Sequence, residues 1–382
     1  MRIAQVAPLF ESVPPRKYGG TERVISVLTQ ELSYLGHEVT VFATADSVVH
    51  GELVPCRQTP LVAGAGDSSE AADHILEFDR VRRRLDDFDV IHFHTRFSHF
   101  PMFEDIAQRT VTTCHNRVDF PELTRFYTRF RHFPLIALSR AQRNSRPHAN
   151  WADVIHHGYP LDYLPAYDRP NARDGYLAFL GRICAEKGVL DAIRIARMTG
   201  KQLKIAARIN NLDREFWDRH VRKLVDGEQI QFVGEISDAE KPEFLNCASA
   251  LLFPIQWPEP FGLVMIEAMA CGTPVIGYAT GSVPEVIDNG QSGFVVADVD
   301  SAAEAVRRLG EIDRATVRAC FEARFSSRRM AERHVALYEK LGAAGTKRSA
   351  RAMVQHRGAL DAITNSQSRL PARDERPLAK PI

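Results

Sequence analysis

Short runs of β-branched and apolar residues alternate with stretches of helical periodicity along most of the chain. In the first half the runs fall at residues 3–7, 39–42, 90–93, 110–113, 135–138 and 154–156. Between the first two, Val24, Leu28, Leu32 and Leu35 recur on one helical face, and Gly36 stands where a left-handed residue ends a helix. A second series runs through 177–180, 203–207, 230–233, 250–253, 275–277 and 294–296. Strands spaced by helices predict parallel α/β sheets, and two series predict two Rossmann-like, doubly wound units in tandem. The join is expected near residues 163–174, where Pro165, Pro170 and Gly175 interrupt the periodicity. Ligands of such sheets sit beyond the carboxyl ends of the strands, so a cleft between the two units is the expected site.

The periodicity fails from Gly342 onward. Residues 343–382 carry eight Lys or Arg against three Asp or Glu, a net of +5, with almost no aromatic residues, which predicts a disordered basic tail. Docking of that tail on an anionic surface is its functional alternative. The whole chain of 382 residues is close to neutral at +1. The part before the tail therefore carries about −4, which argues against nucleic acid as a partner. Six scattered cysteines without a C-x-x-C pair read as reduced thiols in a cytoplasmic protein. No run reaches the roughly 18 apolar residues of a membrane helix, and the N-terminal run is too short for a signal peptide.

Chemistry concentrates in Glu259-Pro-Phe-Gly-Leu-Val-Met-Ile-Glu267. There a strand enters a Pro-rich loop and then a helix that ends before Gly272. The corner at Pro260 and Gly262 leaves the N–H groups of about Phe261 to Val264 free at a helix N-terminus, which suits a diphosphate. Glu259 precedes the corner and Glu267 lies about a turn and a half inside the helix, so one carboxylate is placed for a sugar and the other for ribose hydroxyls. A capping glutamate with a surface partner is the simpler alternative. Upstream, Gly181-Arg-Ile-Cys-Ala-Glu-Lys187-Gly follows a strand and puts Arg182 and Lys187 at the same sheet edge. Two cations there can neutralise a diphosphate leaving group without a metal; a solvated Arg and a C-capping Lys would be the structural counterpart.

Glu-x7-Glu followed by Ala-Met-Ala-Cys-Gly-Thr-Pro-Val-Ile, the earlier Gly-Arg-x4-Lys-Gly, and the later Gly281-Ser-Val-Pro-Glu-Val-Ile with Asn289-Gly-Gln-Ser-Gly-Phe occur in one order. Together they resemble the retaining glycosyltransferases of family 4, which have the GT-B fold, across residues 1 to about 341. The resemblance implies that Arg182 and Lys187 bind the donor diphosphate, Glu267 the ribose and Glu259 the donor sugar. It implies backbone contacts from Phe261, Gly262 and Leu263, and a nucleobase beside Gly234, Glu235 and Ile236. In the first unit it makes Gly19 and Gly20 a glycine loop near the phosphate and His115 the histidine near the reacting sugar. It divides the chain into an acceptor domain at 1–168, a nucleotide-sugar donor domain at 169–326, and a helix at 327–341 that crosses back onto the first, leaving 342–382 as the tail.

Some positions depart from that pattern. Ser282 stands where many members have a second glycine, and Ala207-Arg208-Ile209-Asn210 replaces a glycine-rich turn. Arg208 is equally readable as a charge for the nucleotide or as cover for the sheet edge. Asp87-Phe88-Asp89 spells a metal-binding Asp-x-Asp but directly precedes a strand, the wrong end for a ligand. His92, His94, His99 and His115 lack a completing zinc ligand at familiar spacing, and read as core or edge residues, with His94 and His115 both ending strands at the cleft. No metal and no cofactor is expected.

The implied activity is transfer of a hexose, with retention, from a nucleoside diphosphate sugar, UDP- or GDP-linked, to a hydroxyl of a saccharide or small molecule. The alternatives are a relative of the same fold acting as epimerase or phosphorylase, and a nucleotide-sugar-binding protein without turnover. Acceptor choice is expected in residues 9–18 and 119–133. The aromatics and arginines of the latter stretch suit either a sugar-binding wall or an amphipathic helix packed on its own domain.

Overall fold

A computed structural model describes residues 1–17, 19–61, 68–165 and 174–342. Of the tail expected at 342–382 only Gly342 is described, and it belongs to the last helix rather than to the tail; the rest of the tail, part of the expected join (166–173) and Tyr18 of the 9–18 loop lie outside the described residues. Two sheets form, and every pairing in them is parallel. The first contains β1 (Arg2–Val6), β2 (Glu38–Thr44), β3 (Glu52–Arg57), β4 (Val90–Phe93), β5 (Thr110–Thr113), β6 (Leu135–Ala137) and β7 (Trp151–Val154), in the order β3-β2-β1-β4-β5-β6-β7. The second contains β8 (Tyr176–Arg182), β9 (Leu203–Arg208), β10 (Ile230–Gly234), β11 (Ala248–Phe253), β12 (Val275–Tyr278) and β13 (Gly293–Val296), in the order β10-β9-β8-β11-β12-β13. Strand order reverses between β1 and β4 in one sheet and between β8 and β11 in the other, and these are the switch points where such sheets take ligands.

Central strands read clearly because both faces are covered: all six residues of β11 are buried. The edges differ from expectation. β3 has no counterpart in the sequence reading; it is a half-buried edge strand carrying Pro55, a residue tolerated at an edge and a deterrent to reading a strand at all. The last strand of the first sheet is Trp151–Val154 rather than 154–156, again at an edge where alternation is weak.

Helices α1 (Gly20–Tyr34), α2 (Ser68–Arg82), α3 (Leu123–Arg129) and α4 (Arg140–Ser145) cover the first sheet. In the second half come α5 (Val189–Thr199), α6 (Arg214–Phe216), α7 (Lys241–Asn246), α8 (Leu263–Ala270), α9 (Val283–Val286), α10 (Val299–Arg307) and α11 (Arg314–Arg324), followed by α12 at 327–342. α1 ends as its sequence suggests: Gly36 has φ +83°, its N–H reaches the Ser33 carbonyl, and the His37 N–H reaches Leu32.

Chain crossings tie the two halves together. Tyr159, after β7, pairs with Ser326, before α12, through Tyr159 N–H to Phe325 O at 2.9 Å and Ser327 N–H to Tyr159 O at 2.9 Å. α12 then lies on the first sheet, where Tyr338 meets Gln5 and His92 and Arg333 meets Asp153. Glu285, from the second half, accepts the N–H groups of Arg140 and Ala141 at the start of α4 at 2.8 and 2.7 Å. Those bonds and nearby His156 outweigh the burial that would raise its carboxyl, and hold it below the usual range.

Candidate active site

A cleft of about 1350 Å³ separates the carboxyl ends of the two sheets. At the switch point of the second sheet, the loop after β8 carries Arg182 and Lys187. Gly188, at φ +74°, packs this loop on the other: a Cβ there would stand 1.9 Å from the Pro254 carbonyl oxygen. The Gln256 N–H donates to the Glu186 carbonyl at 2.8 Å. This seam brings Lys187 Nζ within 2.6 Å of Glu259 Oε2, an oxygen that also accepts the Trp257 indole N–H at 2.7 Å. Arg182 Nε lies 3.4 Å from Asp213. Both cations therefore already face a carboxylate before any ligand arrives.

The corner between β11 and α8 takes its shape from buried contacts. Gly281, at φ +54°, lies so close to Glu259 that a Cβ would be 2.5 Å from both its backbone nitrogen and oxygen. Ser282, the departure noted in the sequence, is fully buried; its hydroxyl donates to the Phe261 carbonyl at 2.7 Å and its N–H to the Glu259 carbonyl at 3.0 Å. The serine at this position therefore pins the corner. The N–H groups of residues 261–264 take no acceptor among the described residues, leaving a free helix N-terminus in the cleft wall.

Glu267 is 2% exposed. Its Oε1 accepts Lys241 Nζ at 2.7 Å and the Tyr159 hydroxyl at 2.9 Å, while Oε2 takes no hydrogen bond from the described residues. Burial alone would raise this carboxyl, but the charge and hydrogen bond of Lys241, the charge of Arg23 and the Tyr159 hydroxyl outweigh it and hold the group below its usual range. Lys241 also lies 3.2 Å from Asp238, which pairs with Arg23 of α1 across the cleft. Lys241, Tyr159, Arg23 and Trp257 were not singled out in the sequence. A buried lysine in an Asp-Ala-Glu-Lys-Pro turn gives no signal without its partner.

On the facing wall Gly19 and Gly20 open α1. A Cβ on Gly20 would sit 3.1 Å from Leu263 Cδ1 of α8, so the missing side chain lets the two walls approach. In the first turn of α1, burial raises the Glu22 carboxyl to about 7. His94 and His115 follow β4 and β5 and meet at 2.9 Å, Nδ1 to Nε2; burial depresses the His115 imidazole to about 3. Glu235 and Ile236 line the cleft, whereas Gly234 stands behind them and turns the end of β10 at φ +81°.

Arg208 lines the cleft and pairs across it with Glu11 of the 9–18 loop at 3.1 Å. The 119–133 stretch serves both readings: Phe120, Leu123 and Tyr127 line the cleft, while Phe126, Phe130 and Phe133 pack on Phe100. Asp87 and Asp89 bind Arg84 and Arg2 beside the start of β4, at the opposite edge of the sheet. Among the described residues no three His, Cys, Asp or Glu side chains gather to hold a metal ion, and no helix is long and apolar enough to cross a membrane.

Two family models match the chain. Residues 18–166 match Glycosyltransferase Family 4, and residues 168–320 match Glycosyl transferases group 1. A glycogen synthase of Mycobacterium tuberculosis is 35% identical over 164 residues, which are 41% of this chain and 39% of that relative's length. A phosphatidyl-myo-inositol mannosyltransferase of Mycolicibacterium smegmatis is 27% identical over 364 residues, 86% of this chain and 89% of the relative. Among solved structures, AviGT4, a glycosyltransferase involved in avilamycin A biosynthesis, superposes with a TM-score of 0.69 at 26% identity, covering 90% of this chain and 98% of that one.

Proposed function

From the premise that the chain belongs to the family 4 and group 1 glycosyltransferases with the GT-B fold, we propose a retaining, metal-independent enzyme that moves a hexose from a UDP- or GDP-sugar to a hydroxyl acceptor. The arrangement that carries this reading is the second switch point, where the open N–H groups of residues 261–264 share one cleft with Arg182 and Lys187. A helix N-terminus and two cations supply the positive charge that a departing nucleoside diphosphate requires, which is the work a divalent ion does elsewhere. Glu259, steered by Lys187 and Trp257, is assigned to the donor sugar's hydroxyls, and Glu267 to the ribose.

In this mechanism the bond between the anomeric carbon and the phosphate oxygen breaks. The acceptor oxygen bonds to the same face of that carbon, and its proton passes to the departing phosphate oxygen. His115 lies beside the reacting sugar. The first lobe, 1–168 with helix 327–341, holds the acceptor, and 169–326 holds the donor; a lobe that closes over them limits hydrolysis. Relatives named for glycogen synthesis and for mannose transfer to phosphatidyl-myo-inositol support a saccharide or polyol acceptor. The unpaired cysteines suit work in a reducing, cytoplasmic setting.

The test is a panel of nucleotide sugars and acceptors run with and without chelator, with the anomeric configuration of the product read by NMR. Retention, turnover that survives chelation, and a loss of about ten- to a hundredfold in Lys187→Ala, the worth of one charge-assisted contact, are expected. Inversion, a metal-restored activity, or a folded Lys187→Ala protein with normal turnover would each overturn the assignment.

A further inference from the structure

Behind His115 a line of buried polar groups runs through the first sheet to α12. His115 Nε2 meets His94 Nδ1 at 2.9 Å, and His94 Nε2 meets Gln5 Oε1 at 2.7 Å. Gln5 Nε2 donates to the Tyr338 hydroxyl at 3.3 Å, that hydroxyl meets His92 Nδ1 at 2.7 Å, and His92 Nε2 meets Thr113 Oγ1 at 2.7 Å. Burial holds all three imidazoles well below their usual range, so each carries one N–H. That condition gives the line a direction. The Gln5 carbonyl oxygen only accepts, so His94 is protonated on Nε2 and bare on Nδ1. A bare Nδ1 requires His115 to donate from Nε2. On the other arm Tyr338 accepts from Gln5 and donates its single hydrogen to His92, which then donates to Thr113. Every bond is satisfied, and reversing the Gln5 amide would invert all of them, including the protonated nitrogen of His115.

We propose that Gln5 and His94 are positioning residues that fix His115 as its Nε2–H tautomer, so that the nitrogen it offers in the cleft is the acceptor Nδ1. A neutral ring with a bare nitrogen accepts a sugar or acceptor hydroxyl hydrogen and adds no positive charge beside the reacting carbon. The catalytic part of this inference rests on the reading of His115 as the group beside the reacting sugar. Tyr338 extends the dependence to α12, the segment that crosses back from the second lobe.

The tautomer is read directly by ring-nitrogen NMR on the full chain with labelled histidine, His115 being assigned from His115→Asn. The expected spectrum has Nε2 protonated and Nδ1 bare. His94→Phe keeps a ring of similar size and removes the acceptor. It should scramble the His115 tautomer and lower kcat on the order of ten- to a hundredfold, with donor KM within about twofold. His94→Gln, whose amide oxygen again accepts from His115, should recover most of kcat. A protonated Nδ1 in the unmodified protein overturns the proposal whether or not any variant folds, and so do equal losses in the Phe and Gln variants. Normal turnover in His115→Asn, with the tautomer still governed by His94, leaves tautomer control standing and removes His115 from the reaction.

Discussion

Replacing Lys241 by Met leaves Glu267 buried with its principal counter-charge gone. The site offers two remedies: the Tyr159 hydroxyl, which still donates to Oε1, and Arg23, whose charge acts from α1. Neither replaces an ammonium at 2.7 Å. Breaking one side of a buried pair costs about 3–5 kcal/mol, and protonation of Glu267 in the variant relieves part of that cost as pH falls. A proton taken up by the folded variant alone is worth about 1.4 kcal/mol per pH unit. The loss of stability should therefore be about 3–5 kcal/mol at pH 7 and shrink by up to about 1.4 kcal/mol for each unit down to pH 5. Chemical denaturation of both proteins at those three pH values measures it, and the pH common to each pair cancels titrations elsewhere. A double variant with Glu267→Gln should lose most of the pH dependence. A difference that stays constant from pH 5 to 7, or below about 1 kcal/mol at pH 7, refutes the picture of Glu267 as a buried, ionised group held by Lys241.

Two further outcomes follow from the geometry. Six imidazoles, those of His92, His94, His99, His157 and His334 in the interior and that of the partly buried His115, are held below their ordinary 6.5. The stability they confer is complete above about pH 6.5 and is lost as pH falls, because the unfolded chain binds protons the folded chain refuses. Glu22 and Glu77, raised to about 7, oppose this, but the imidazoles outnumber them, so net proton uptake on unfolding and a fall in stability are expected between pH 6 and 5. Circular dichroism with proton-uptake measurement would show it, and stability that is flat over that interval would count against it. Gly281→Ala must displace Glu259 and adopt a strained φ, so it should cost about 1–3 kcal/mol and weaken the thermal shift produced by a nucleotide sugar; an unchanged shift would mean the corner does not hold the donor.

The repeating strands and the order of the sheets' central elements were legible because buried parallel strands are continuous apolar runs between helices. Edges were not. Pro55 hides β3, and β7 is too exposed to alternate cleanly. The cleft's charged residues were found where loop chemistry announced them, as in Gly-Arg-x4-Lys-Gly and Glu-x7-Glu. Lys241 and Tyr159 escaped because their roles depend on one carboxylate that tertiary packing alone brings to them. Ser282 looked like a departure and proved to be an anchor, since a hydroxyl in that place finds the Phe261 carbonyl.

Gly20 stands 3.1 Å, measured from an ideal Cβ, from the tip of Leu263, and this spacing makes a single hydrogen atom the gauge of the cleft. A side chain at position 20 would press on Leu263 and load the ion pairs that cross the same cleft, Arg23 with Asp238 and Arg208 with Glu11. Volume at one backbone position is thereby coupled to the distance between the lobes, and through that distance to the charges that hold them together.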